Sequence, residues 1–488
     1  MSPLRLLVPL LALTALPAAA SASRPAARLP ALVRLTSTPA LYPAYSPAIH
    51  DYVVRCSAGQ AVRFTTWAAA GTTALIDGAR DRTRTVRLAV DASVTVEGRS
   101  PRGTTDYHVR CLPEDFPTWT QTGTPSSRRW YVLTPSLSLG TARSHYVAIF
   151  DGQGVPVWWY RTRRVPIDAK ILPGPTPTVA FASYPASSPE YQVRRLDGSF
   201  ARKIVSPDGR IDDHELQRLG NGDFVYLVYQ PRQQVDLTGL GGPADSTVLE
   251  AHIEEVTPAG KLVWSWASDD HVSLEESSRW YATILGTPIV IPGPDNEPET
   301  AYDFFHANAI SVTKSTVLLS LRQTDGVYAI DRKTGRILWK LGGTTTPESL
   351  TVVGDPHAGA PLGGQHDARL LPDGTVSVFD DGTFLNRPPR VVRYRIDPVA
   401  RTATLVQQIV DPGVTTSFCC GSSRLLANGD WLVSWGGDPV VGEYRPDGTP
   451  VFRLTFGDGL FSYRAVPVAP RRLTIGELRA GMDAMALG

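Results

Sequence analysis

From about Trp130 to Tyr463 the chain repeats itself every forty to fifty residues, and this period limits its fold more than any other feature. One half of the unit is a polar turn followed by an aromatic strand: FDGQGVPVWWY (150–160), LDGSFARKI (196–204), VTPAGKLVWSW (256–266), IDRKTGRILWKL (330–341) and YRPDGTPVFRL (444–454). The other half is strand, turn, strand: LQRLGNGDFVYLVY (216–229), ARLLPDGTVSVFDDG (368–382) and SRLLANGDWLVSWGG (423–437), with weaker copies at 169–184 and 310–322. Asn, Asp and Gly tolerate positive φ, so the N-G-D and D-G pairs read as hairpin turns. Four strands per repeat of this length is the pattern of a β-propeller, whereas solenoids use shorter or helical repeats. The count of units predicts an all-β fold, a six-bladed propeller over residues 120–470, closed by pairing the last strand with the first.

Composition agrees with this class. Gly and Pro number 42 and 41, too many chain-breakers for a helical bundle, and 42% hydrophobic content is too apolar for disorder. A net charge of +1 argues against a nucleic-acid binder. Among the 48 basic residues only Lys170, Lys203, Lys261, Lys314, Lys333 and Lys340 are lysines. That bias fits either GC-rich coding or a surface rich in bidentate oxyanion binders.

Arg5, the apolar run Leu6 to Leu16 and the small residues Ala20-Ser21-Ala22 predict a signal peptide over residues 1–22. The run is too short to span a bilayer, so the expected product is secreted or periplasmic, with no membrane span. Alternating strands then predict a small β-sandwich over residues 30–112, and LPEDFPTW (112–119) reads as a linker. The phrase Leu41-Tyr42-Pro43-Ala44-Tyr45-Ser46-Pro47, running into Asp51-Tyr52, resembles the cadherin-like domains that precede some exported bacterial enzymes. Two hexamers, Asp51 to Cys56 and Asp106 to Cys111, place cysteines at matching strand positions. In an oxidising compartment they predict a Cys56–Cys111 disulfide. For the adjacent Cys419 and Cys420, free thiols and a vicinal bridge both stay open. The tail, residues 471–488, has Thr474 and Glu477 in capping-box spacing and Ile475, Leu478, Met482 and Met485 on one helical face.

Propellers bind ligands where their inner strands converge. Three of the nine histidines fall at the same place in three units: His214 in DDHE, His306 in FFHAN and His366 in QHD, with Arg322 closing the strand after the second. Each alone reads as a strand-capping histidine, but three in register point to a site. Three imidazoles suit zinc or copper. Arg322 opposes a metal cation, so no metal is expected. The preferred reading is an oxyanion site, a nest of donors with few acceptors, suited to a sulfate or phosphate ester. Phe304, Phe305, Trp435 and Phe461 are candidates either to stack on an aryl ring or to pack the blades.

DDHELQRLGNGDFVYL, YDFFHANAI, LLSLRQTDGVYAIDRKTGRILWKLGG, GQHDARLLPDGTVSVFDDG and GEYRPDGTPVFRL together resemble the bacterial arylsulfotransferases, from about Trp130 to about Val468. The resemblance implies an exported six-bladed propeller that moves a sulfuryl group from an aryl sulfate to a phenol, without a nucleotide donor (PAPS-independent) and without a cofactor. It implies His366 as the nucleophile of a ping-pong cycle through a sulfohistidine, with His306 as the alternative nucleophile. It also implies His214, His306 and Arg322 as catalytic partners, and Asn308 and Gln365 as substrate-binding residues. Asp380-Asp381-Gly382 departs from the family's usual Asp-Asn-Gly, and the resemblance does not explain Cys419-Cys420. Two other classes compete. A quinone-dependent dehydrogenase propeller would need Ca²⁺ and an acidic cluster that the sequence does not suggest at the channel. A non-catalytic binding propeller would use the channel as scaffold only.

Overall fold

A computed structural model describes residues 32–126, 128–138, 144–184, 190–207, 210–293 and 297–487, so the expected signal peptide lies outside the described residues. The fold is all-β: a small sandwich precedes a propeller.

The sandwich pairs a three-stranded sheet (Leu32–Thr38, Gln60–Ala68, Thr83–Leu88) with a four-stranded one (Asp51–Arg55, Gly103–Leu112, Ser93–Ser100, Thr73–Ile76). Alternate residues such as Val62, Phe64, Val94, Val96, Tyr107 and Val109 bury one face of each sheet in a common core. Asp51–Arg55 runs parallel to Gly103–Leu112, with Val54 opposite Cys111. That register carries Cys56 to Cys111, and the two are joined by a disulfide with Cα atoms 5.6 Å apart.

Among the described residues, six sheets built on four-stranded meanders follow in chain order. Their innermost strands are Phe461–Val468, Val165–Leu172, Arg210–Arg218, Ala307–Val312, His366–Leu370 and Ser422–Leu425. The ring is clasped twice. Phe461–Val468 pairs with Trp130–Leu137, as the repeat pattern leads one to expect. A second strand, Trp119–Gly123, adds to the edge strand Pro450–Phe456, in the stretch just after the expected linker.

Short helices, Leu274–Trp280 and Tyr281–Gly286, interrupt the third unit. The tail forms the helix Ile475–Leu487. Its capping box is complete: Thr474 N–H donates to Glu477 (2.7 Å) and Glu477 N–H to the Thr474 hydroxyl (3.2 Å). Leu478 and Met482 are fully buried in the core that the first sheet shares with Val53 and Leu112.

Candidate functional site

Five of the six inner strands carry a register shift facing the channel: at Ile167/Lys170, Ile211/Leu216, Ala307/Ala309, His366/Arg369 and within Phe461–Ala465. A bulge adds a residue and re-aims the side chains beside it. Asp168, His306 and Asp367 take positive φ of 50°, 47° and 53° at these places, which Asp and His bear better than most residues. Two groups of side chains converge as a result.

One group is a buried ionic network. Arg464 bridges Asp168 (2.6 Å) and Glu215 (2.9 Å) and donates to the Asn308 carbonyl (2.6 Å). Arg369 binds Asp367 (2.6 Å) and Glu215, Arg424 binds Asp367 (2.7 Å), and Lys170 binds Asp168 (2.6 Å) and Glu215 (2.9 Å). Side chains of five inner strands and a carbonyl of the sixth are thereby tied together.

The other group contains the three histidines, each with a carboxylate on Nδ1. His214 Nδ1 meets Asp212, with Asp213 at 3.2 Å. His306 Nδ1 lies 2.6 Å from Asp303, whose other oxygen accepts the His306 N–H at 2.8 Å. His366 Nδ1 lies 2.8 Å from Asp381 and 3.0 Å from the Gly364 carbonyl. This corrects the expectation of a donor nest with few acceptors. Asp212 and Asp213 stand in the DDHE motif itself, but the roles of Asp303 and Asp381 do not show in the sequence, because they reach the imidazoles through turns whose geometry no spacing reveals.

The tautomer of His366 follows from its partners. A carbonyl can only accept, so Nδ1 carries the proton toward Gly364. The Cys420 N–H can only donate, and it points at Nε2 from 3.1 Å, so Nε2 holds a lone pair. Burial, then the nearby Arg322 guanidinium, hold this imidazole well below its ordinary range, so it is neutral. His214 goes the other way. Burial alone would depress it, but Asp212 and Asp213 outweigh burial and hold it up to about 9. One imidazole is therefore a neutral base and its neighbour a cation. The His214 and His306 rings meet edge to face at 4.8 Å.

Arg322 joins this group: its backbone N–H donates to the His306 carbonyl (3.1 Å), and its guanidinium stacks 4.4 Å over Trp280 and donates to the Phe418 carbonyl (2.8 Å). Its buried Nε has no partner among the described residues, a donor left for a ligand. Asn308 is fully buried and spends its Nδ2 on the Gln365 carbonyl (2.8 Å), while Gln365 Nε2 donates to Ser320, Leu321 and Gly326. Those bonds fix both amides, and the carbonyl oxygens Asn308 Oδ1 and Gln365 Oε1 have no partner among the described residues. Phe304, Phe305, Trp435 and Phe461 all lie in hydrophobic cores. The exposed aromatics near the site are instead Phe384, against Trp280, and Phe418, against Phe461.

Asp212, Asp213 and His214 offer ligand atoms within 4.8 Å of one another and are the described residues best placed to hold a cation. Asp212 Oδ2 and Asp213 Oδ2 have no partner among the described residues, but one Asp212 oxygen is committed to His214. A cleft of about 900 Å³ lies elsewhere, beside Asp91, Trp159 and Met485, and none of the three histidines lines it.

Several solved structures share the architecture at a distance. A protein of unknown function from Bacteroides caccae is 14% identical, with a TM-score of 0.41, over 70% of this chain and 99% of its own. A quinonprotein alcohol dehydrogenase-like protein from Bacteroides thetaiotaomicron is 8% identical, with a TM-score of 0.32, over 87% and 98%. A streptogramin B lyase is 10% identical, with a TM-score of 0.28, over 70% and 98%. At these scores the likeness carries no argument about the site. No curated protein sequence matches the chain. The sequence profile of the arylsulfotransferase (ASST) family, by contrast, matches residues 191–457. That stretch is more than half of the chain and spans His214, His306, Arg322 and His366, and the protein therefore belongs to the arylsulfotransferase (ASST) family.

Proposed function

We propose that this protein transfers a sulfuryl group from an aryl sulfate to a phenol through His366. One observation supports this above the rest: the buried His366 imidazole turns Nδ1 to the Gly364 carbonyl and so keeps a lone pair on Nε2, while Asp212 and Asp213 hold the His214 imidazole of the same group toward its protonated form. In the first half-reaction Nε2 of His366 attacks sulfur, the S–O bond to the aryl group breaks, and protonated His214 gives its proton to the departing phenolate. Asp381 and the Gly364 carbonyl face the positive charge that forms on the ring. Arg322 serves the sulfuryl oxygens. In the second half-reaction the acceptor phenol returns a proton to His214, its oxygen attacks sulfur, and the N–S bond breaks. No nucleotide donor and no cofactor enters this scheme. Export belongs to the same reading, supported by the disulfide and by the leader-like first 22 residues; among the described residues no helix is long and apolar enough to cross a membrane.

The test is incubation with 4-nitrophenyl sulfate and a phenol, following 4-nitrophenolate. Rapid quenching without acceptor should then place the mass of SO₃, about 80 Da, on the peptide that contains His366. An active enzyme whose His366 stays unmodified would refute the covalent path.

A further inference from the structure

We propose that the bridged pair Cys419–Cys420 is a dithiol-sensitive cap on the attacking nitrogen of His366; the inference rests on the reading of His366 as nucleophile. The two cysteines lie between the strands Thr402–Ile409 and Ser422–Leu425 and are bridged to one another. A bridge across one peptide bond closes almost no loop, so unlike Cys56–Cys111, which spans 55 residues, it adds little stability through chain entropy. Its effect is local. Within the ring it closes, Cys420 sits at φ of 69°, a left-handed conformation uncommon for a residue other than glycine. In that conformation the Cys420 N–H points down the lone pair of His366 Nε2 from 3.1 Å.

That lone pair is the one that must meet sulfur, and an N–H in its direction excludes a substrate. Burial agrees. The His366 side chain is 2% exposed, whereas its neighbours His214 and His306 are 12% and 28% exposed. The surrounding loop is tied down at the same place by three contacts. Ser417 donates to Asp381 (2.5 Å), Arg322 donates to the Phe418 carbonyl (2.8 Å), and Gly421 N–H donates to the Tyr463 carbonyl (2.9 Å). The cap therefore sits on the nucleophile, on its Nδ1 partner and on the arginine assigned to the sulfuryl oxygens.

A dithiol opens it by exchange. Its thiolate attacks the bridge at Cys419, the less buried of the two, and the Cys419–Cys420 S–S bond breaks. This leaves a mixed disulfide on Cys419 and frees Cys420; the second thiol of the reagent then attacks the reagent's own sulfur in that mixed disulfide and displaces Cys419. Two electrons and two protons pass to the protein, two cysteine thiols form, and the dithiol leaves as its own disulfide. With the ring open, Cys420 is free to return to negative φ, which turns its N–H off Nε2. The oxidised protein is the resting form and the reduced protein the reactive one.

Acylation of His366 by diethyl pyrocarbonate tests this without requiring any sulfuryl transfer. The full-length protein is treated before and after dithiothreitol, and peptide mass reports both His366 modification and the state of each disulfide. Reduction of Cys419–Cys420, with the fully buried Cys56–Cys111 intact, should speed modification of His366 about ten-fold, the worth of one buried hydrogen bond to the reacting nitrogen. Reoxidation should restore the slow rate. The Cys419→Ala/Cys420→Ala variant should react fast and ignore dithiothreitol. An unchanged rate on opening the bridge, or a variant that still responds to reductant, overturns the cap. Should the variant not fold, the reduction and reoxidation of the natural protein decide alone. If His366 is uncapped by reduction yet no aryl sulfate is turned over, the functional reading fails and the cap stands.

Discussion

His366 and His214 are the same side chain put to opposite use by their surroundings, and the pH dependence of the reaction follows from that difference. The first half-reaction, which kcat/KM for the aryl sulfate reports, needs His214 protonated and His366 neutral. His214 loses its proton as pH rises through about 9, so kcat/KM should fall above that value. His366 gains a proton only well below its ordinary range, so the acidic fall should come far below pH 6.5. A kcat/KM profile measured from acid to alkaline pH should thus show a broad plateau, and His214→Gln should lower it and remove its alkaline limb. His366→Ala should lower turnover by about 10³ or more, since the covalent path is gone, whereas Arg322→Ala should leave slow, measurable transfer. The histidines stand out in the sequence because they recur at one place in the repeat, and Arg322 because it closes the strand after the second of them. Their partners Asp303 and Asp381 do not, because a carboxylate reaches Nδ1 only through bulges and positive-φ turns. The Cys420 N–H is a backbone group and leaves no residue-type signal at all.

At the level of elements, the repeat reveals the strands but not what fills the ring. The turns N-G-D and D-G locate hairpins directly, because positive φ demands those residues. Glu215 and Asp367 stand inside the DDHE and QHD motifs, whereas Arg369 and Arg464 look like ordinary polar positions in the sequence; only when the inner strands come together do the four become a closed network. Burying so many charges is favourable only while each is paired. Arg464→Ala would leave Asp168 and Glu215 short of a counter-charge and the Asn308 carbonyl without its donor. Loss of one partner from a buried pair costs about 3–5 kcal/mol. The variant should therefore show a markedly lower denaturation midpoint by urea titration, and Arg464→Lys should recover only part, because an ammonium cannot reproduce the forked contacts. A midpoint unchanged in Arg464→Ala would mean that water replaces the guanidinium at little cost.

Across the whole molecule the tail does what neither the sandwich nor the ring does alone. Leu478 and Met482 bury themselves in the core of the first sheet, and the helix approaches so closely that a Cβ on Gly481 would lie 2.6 Å from the Leu196 carbonyl oxygen. From the same helix Arg479 grips Asp51 through two bonds of 2.8 Å, and Asp483 accepts from Arg110 at 2.7 Å, both on the sandwich. The capping box and the apolar stripe of this helix are plain in the sequence. Its bridging role is not, because it depends on where a distant sheet and the sandwich happen to meet. Surface ion pairs contribute little alone, so the apolar contacts carry most of the coupling. Each of Leu478→Ala and Met482→Ala should cost about 2–5 kcal/mol. Removing residues 471–488 should go further and uncouple the two parts. Scanning calorimetry should then resolve two unfolding transitions where the intact protein gives one, with the sandwich transition still raised by the Cys56–Cys111 bridge and lowered by its reduction. A single transition in the shortened protein would show that the Val53, Leu112 and Phe116 contacts suffice to join sandwich and ring without the helix.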